Sequence, residues 1–198
     1  MVTEKELRVL EAAKTVFLRY GFRRVTMQDI AEAAGVSRPA LYLIYPNKEE
    51  VFKAAIRQVA TENLRKIRED LWANPTIESR LQHAFEIWSV GPFRLMLNSP
   101  DAKDLVDCTY GFARGEMEEF TAKFNDVLVE ILAPHILYAL ANRLSSDPID
   151  ARQIAEILNS AVHGFKESAV TVPELQSRIK ALVTLTIAGM QSLPASEP

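Results

Sequence analysis

The sequence predicts an all-α protein, with a small N-terminal helix-turn-helix domain of three helices followed by a larger helical domain. Apolar residues recur at helical spacing along the whole chain, and strand-like alternation is absent. Pro, Gly, Ser, Asn and Asp fall in short clusters that cut the chain into helix-length pieces. The stretch "VTMQDIAEAAGVSRPALYLIYPNKEEVF", residues 25–52, is cut most often. At 198 residues the chain is long enough for one or two domains with a sizeable core.

The elements follow in order. Leu7, Leu10, Ala13, Lys14 and Phe17 recur at helical spacing, with Lys14 as the polar edge. Gly21 then stands where a C-terminal cap would, bringing Phe22 back onto Phe17. Thr26 with Asp29 three residues on is a short-armed capping box for a helix over 27–34. Gly35 ends that helix, and Ser37 caps a short one over about 38–45 with Pro39 in its first turn. Pro46 closes it, and Asn47 with Glu50 opens the next helix at Lys48. Further helices are expected over 48–71, 77–90, 103–108, 116–140, 149–168 and 174–192. Breaks are expected at "WANPT", "SVGP", "NSPD", "RLSSDP" and "TVPE", and a disordered end at "PASEP".

Only Gly35, Val36 and Ser37 join the second and third helices, so the two must turn sharply against each other, as in a helix-turn-helix. Ile30, Ala31, Val36 and Leu41 would fill their contact, leaving Arg38, Pro39, Ala40, Tyr42 and Leu43 outward. A two-turn helix of this kind fits a DNA major groove. Charge agrees with a polyanion partner. Residues 1–68 carry 13 Lys+Arg against 8 Asp+Glu, net +5, whereas residues 69–198 carry 10 against 18. Arg19, Arg23 and Arg24 cluster at the corner after the first helix, where a solvated surface is the other reading. The domains expected are a DNA-binding helix-turn-helix domain over 1–47, a connecting helix over 48–71, and a larger helical domain over 72–198.

The run "TMQDIAEAAGVSRPALYLIYPNKEEVF", preceded by "VLEAAKTVFLRYGF", resembles the helix-turn-helix of the TetR family of bacterial transcription regulators. The chain departs from the family's usual pattern at Ile44, often His, and Tyr45, often Phe. The resemblance implies a DNA interface made of Thr26, Ser37, Arg38, Pro39, Ala40, Tyr42, Tyr45 and Lys48. In it Thr26 and Lys48 meet phosphate, Arg38, Pro39 and Ala40 face bases, and Tyr42 lies on base methyls or backbone. It also implies a ligand-relieved repressor acting as a homodimer on double-stranded DNA.

Behind this domain, Met117, Phe120, Phe124, Val127, Leu128, Ile131 and His135 form one helical face, and Pro134 is expected to bend that helix. Trp88, Phe93, Met96 and Phe112 lie on neighbouring segments. Such a stripe is either core packing or the wall of an apolar cavity, with His83 or His135 as polar handles. The family likeness favours a small hydrophobic effector there, held by His83, Trp88, Phe93, Met96, Phe112, Met117, Phe120 and Phe124. The last two helices carry the faces Ile154, Ile157, Leu158, Ala161, Phe165 and Ile179, Leu182, Val183, Thr186, Met190. They either meet a second copy of the chain or close the monomer's own core.

Enzymatic chemistry finds no support in the residues. His83, His135 and His163 stand far apart, and no HExxH, CxxC or Gly-rich phosphate loop occurs, so neither a metal nor a cofactor is expected. Cys108 is the single cysteine and reads as an apolar filler. With no signal-like or membrane-spanning run, a cytoplasmic location is expected. The alternative function is an all-helical ligand-binding or scaffold protein whose helix-turn-helix no longer binds DNA.

Overall fold

A computed structural model describes residues 3–99, 101, 104–141 and 150–192. All regular structure among the described residues is helical. The break expected at "RLSSDP" and the tail "PASEP" lie outside those residues.

The first compact unit comprises Met1–Glu62 and Leu95–Thr121, and the second Asn63–Arg94 and Ala122–Pro198. This differs from a division at residues 47 and 72, because the segment after residue 95 returns to complete the N-terminal core.

In the first unit, α1 (Glu4–Arg24) starts with a full capping box between Thr3 and Glu6. Its inward face is Val9, Leu10, Ala13, Val16 and Phe17, while Leu7 lies exposed near the N-terminus. Gly21 does not end the helix. It kinks it at φ 75°, ψ 165°, and a further turn runs on to Arg24. The return of Phe22 onto Phe17 does occur, with ring centroids 5.6 Å apart. Helix α2 (Met27–Ala33) carries the Thr26–Asp29 capping box in both directions. It ends at Gly35, whose φ of 64° favours glycine. There the Gly35 amide donates to Glu32 O and the Val36 amide to Ala31 O, the paired bonds of a Schellman motif. Ser37 caps α3 (Arg38–Tyr42), which is shorter than expected: beyond Tyr42 the chain passes through a turn at Leu43 and Ile44, whose last bonds close on Leu41 O, before Pro46.

Helix α4 (Lys48–Asp70) begins in the first unit and ends in the second. Asn47 Oδ1 accepts from the Glu50 amide, but the Glu50 carboxylate turns to Lys53 at 3.1 Å rather than closing a box. After a 3₁₀ turn (Leu71–Ala73) come α5 (Ile77–Phe85), a π turn (Glu86–Val90) and α6 (Gly91–Leu97). The break expected at "SVGP" is therefore absent. A π turn, in which the Gly91 amide reaches back to Glu86 O, widens the helix where Pro92 supplies no amide of its own.

Helix α7 (Asp104–Tyr110) and the start of α8 (Arg114–Ala141) belong to the first unit. Leu105 and Ala113 join Val16, Phe17, Ile30, Leu41, Val51 and Phe52 in one buried cluster, with Phe22, Met96, Cys108 and Phe112 packed against it. Burial, and then the Asp104 and Asp107 carboxylates, push the Cys108 thiol up, away from the reactive thiolate.

In the second unit, α8 continues through Pro134 and is followed by α9 (Ala151–Ser168) and α10 (Val172–Ser192). Phe124, Val127, Leu128, Ile131, Leu132 and Ile136 are buried along α8, but His135 is exposed, which removes it as a polar handle. The face turns one position further, onto Leu132 and Ile136, because α-helical spacing allows either row and packing chooses. Inside the unit, Asn159 Nδ2 donates to the buried Asn125 Oδ1 at 2.9 Å.

Candidate nucleic-acid interface and effector region

The helix-turn-helix is assembled by caps and by one anchor. Ile30, Ala31 and Leu41 are almost completely buried in the contact between α2 and α3, with Val36 half-buried beside them. Leu41 therefore fixes the roll of α3 and sends Arg38, Pro39, Tyr42 and Leu43 to the surface, with Ala40 half-buried at the edge. The Ser37 hydroxyl accepts from the Ala40 amide at 3.3 Å. The Arg38 guanidinium lies 5.5 Å from the centre of the Tyr42 ring, one helical turn on. This contact holds a flexible cation against a flat side chain on the exposed face.

Thr26 is exposed, and its hydroxyl is engaged with Asp29. The Thr26 hydroxyl first, and its amide second, hold the Asp29 carboxyl below its ordinary 3.8. A carboxyl lowered in this way adds stability above that value, and the contribution is lost as pH falls through the folded-state pKa. Thr26→Ala is expected to cost about 1 kcal/mol at neutral pH. The gap between wild type and Asp29→Asn should close on acidification below about pH 4. Urea titrations from pH 7 to pH 2 measure both, and a gap that is constant across that range contradicts the reciprocal cap.

Two members of the expected interface are turned inward. Lys48 Nζ donates to Phe22 O and to Val25 O, each at 2.7 Å, and sits 4.3 Å from the centre of the Phe22 ring. Its ammonium is thus spent on the corner between α1 and α2, and not held out for phosphate. Tyr45 is half-buried against Leu10, Ala54 and Ala55, and burial pushes its phenol up. Both sit where the chain leaves α3 and enters α4, so closing the three-helix core draws them in.

The same corner is gripped from the other side by a residue with no local signal in the sequence. Asp104, the first residue of α7, accepts from the Phe22 amide at 2.9 Å and from the Arg23 amide at 2.8 Å. The kink at Gly21 frees these amides, as at any helix start, and Asp104 caps them from 81 residues away in sequence. A side chain on Gly21 would meet Asp101 O at 2.3 Å. Separation in sequence hid the pairing, although the positive-φ glycine beside a basic corner was visible.

The residues expected to hold an effector divide between the two units. Phe112 packs its ring tilted on Phe22 and edge-on to Phe52, at 5.1 and 5.6 Å, and Met96 packs against the same core, so both serve the first unit. Phe120 is buried and Met117 half-buried in the part of α8 belonging to that unit. In the second unit the Trp88 ring lies flat on Phe124, centroids 4.7 Å apart and planes 8° from parallel, and Phe85 meets Phe124 edge-on. Phe93 and His83 are half-buried there. His83 Nε2 is buried and makes no hydrogen bond. Among the described residues no group of His, Cys, Asp and Glu could hold a metal ion, and no helix is long and apolar enough to cross a membrane.

A capped two-helix turn with one exposed polar and aromatic face defines a helix-turn-helix protein. Residues 9–55 match the family described as bacterial regulatory proteins, tetR family. The match covers most of α1, the helix-turn-helix and the start of α4, and the rest of the chain lies outside it. It is 40% identical over 76 residues to YfiR of Bacillus subtilis, described as an uncharacterized HTH-type transcriptional regulator. It is 32% identical over 89 residues to the HTH-type transcriptional regulator RutR of Escherichia coli. These alignments cover 36% and 43% of this chain, and 37% and 42% of the relatives' lengths. A transcriptional regulator from Cytophaga hutchinsonii shares the fold with a TM-score of 0.73 at 19% identity, over 91% of this chain and 95% of that one. FadR of Thermus thermophilus, described as a TetR-family transcriptional repressor in complex with lauroyl-CoA, shares it with a TM-score of 0.63 at 22% identity, over 98% of both chains.

Proposed function

We propose that the protein is a DNA-binding transcriptional regulator, a repressor that a small hydrophobic ligand releases from a two-fold symmetric operator. The observation that carries this reading is the roll of α3. Leu41 is fully buried, so Arg38, Pro39 and Tyr42 share the outer face of a helix short enough to enter a major groove. The net charge of +5 over residues 1–68 supplies attraction to phosphate. Thr26 and Ser37, exposed at the starts of α2 and α3, border that face. Gel shifts with duplexes from upstream of the protein's own gene, against random duplexes, test it. Equal affinity for both sets contradicts a regulator and leaves a helical binding protein.

Arg38→Ala is expected to cost about 1–3 kcal/mol on the preferred duplex and to relax the choice at one base pair per half-site. An equal loss on random duplexes would assign Arg38 to phosphate.

For the ligand, the support lies in the second unit: the stacked Trp88 and Phe124, half-buried Phe93, and the unpaired Nε2 of His83. A ligand body that displaces the stack and a polar atom that meets His83 would be small and largely apolar. The solved relative described with lauroyl-CoA supports a ligand of this kind. Native mass spectrometry of the purified protein tests for a retained molecule. Helix α4, about 35 Å long at 1.5 Å per residue, runs from the first unit into the second and is the proposed route between them. Coupling of about 1–3 kcal/mol would make bound operator weaken ligand binding about 5- to 150-fold.

A second copy of the chain is the proposed partner of α9 and α10. Their inner faces are spent within the unit on Ala155, Leu158, Val162, Leu175, Ile179 and Val183, all buried. Their other faces leave Ile157 59% and Leu185 71% exposed, and Gly164 and Gly189 open to space. Two-fold pairing there suits a palindromic site.

A further inference from the structure

The exposed face of α3 is two parallel rows. Arg38 and Tyr42 stand one turn apart and touch, forming a polar and aromatic row. Pro39 and Leu43 stand one turn apart on the adjacent line, both exposed, forming an apolar row. Leu43 is 89% exposed, more than any other exposed large hydrophobic side chain among the described residues. Folding gains nothing from it there. It ends the helix, its amide donating to Pro39 O at 3.2 Å. Arg38 pairs with no carboxylate among the described residues, so the cation beside this row is available to a polyanion.

An apolar row inside an electropositive face has one complement in duplex DNA. Of the groups on the floor of the major groove, only the 5-methyl of thymine is apolar. We propose that Leu43, with Pro39 behind it, is a specificity-determining residue that reads a thymine methyl at one position in each half-site. Resting on the DNA-binding function proposed above, this assigns the apolar row its base: Arg38 reads a hydrogen-bonding edge, and Leu43 a neighbouring thymine.

The experiment uses the full chain and a duplex selected by it from a random pool. Each thymine is replaced in turn by deoxyuridine, which removes only the methyl, and affinity is measured at one salt concentration for wild type and Leu43→Ala. Because Leu43 is exposed, the variant should melt with wild type, and a melting curve checks this. The expected result is a loss of about fourfold in wild type at one thymine per half-site, the worth of one methyl withdrawn from an apolar contact. In Leu43→Ala the same replacement should change nothing. A methyl effect that persists in Leu43→Ala, or that is absent in wild type, overturns the assignment. So does an equal loss by Leu43→Ala on selected and random duplexes, which places Leu43 on the sugar-phosphate backbone. If no duplex is selected at all, the DNA-binding function falls, an outcome distinct from these.

Discussion

Lys48→Ala is expected to destabilise the protein by about 2–4 kcal/mol while leaving the salt dependence of DNA binding unchanged in the fraction that remains folded. Two charge-assisted hydrogen bonds to Phe22 O and Val25 O are lost, each worth about 1.5–3 kcal/mol before solvent screening of a half-buried group. The stack of the ammonium on Phe22 is lost with them. A lysine bound to phosphate predicts the reverse, little change in stability and a log–log salt slope shallower by about one. Urea unfolding and duplex titrations across a salt series separate the two. A shallower slope with an unchanged urea midpoint would return Lys48 to the phosphate backbone.

Gly21→Ala should be the more damaging substitution, costing about 3 kcal/mol or more. Its φ of 75° with ψ of 165° lies in a region that L residues avoid, at a cost of about 1–3 kcal/mol. The new Cβ would also collide with Asp101 O, 2.3 Å away, and with the Asp104 carboxylate at 2.8 Å. That carboxylate caps Phe22 and Arg23, so relief of the clash would unmake the cap as well. Asp104→Ala isolates the cap and should cost about 1–3 kcal/mol by leaving two amides unbound, with part of this recovered because the Arg23 amide is exposed. Denaturation midpoints at constant m-value measure both. If Gly21→Ala unfolds with wild type, the approach of Asp101 and Asp104 to the kink is not a feature of the folded protein in solution.

The two substitutions address one corner, residues 22–25, held by the first residue of α4 on one side and of α7 on the other. Both grips act on the backbone immediately before α2, so the placement of the helix-turn-helix depends on the segment Leu95–Thr121 as well as on its own three helices.

Much of the helix-turn-helix was legible in the residues because its determinants are local. Capping boxes span three residues, a Schellman turn needs one glycine, and the Ile30, Ala31 and Leu41 contact follows from helical spacing across a three-residue turn. The outward set Arg38, Pro39, Tyr42 and Leu43 follows from the same spacing. What only the tertiary structure decided were matters of competition between distant groups. Lys48 could serve phosphate or the α1 corner, and the fold brings two carbonyls of that corner to 2.7 Å from its ammonium. Phe112 and Met96 could line a cavity or fill a core, and the return of residues 95–121 onto Phe22 and Phe52 made them core. Asp104 carried no local signal, since its role exists only where a chain 81 residues earlier leaves amides free. Sequence alone thus determined most of the helices and the caps at Thr26 and Ser37, whose energetics act over a few residues. The inward or outward fate of each amphipathic side chain was left to packing, which depends on which surfaces the fold brings together.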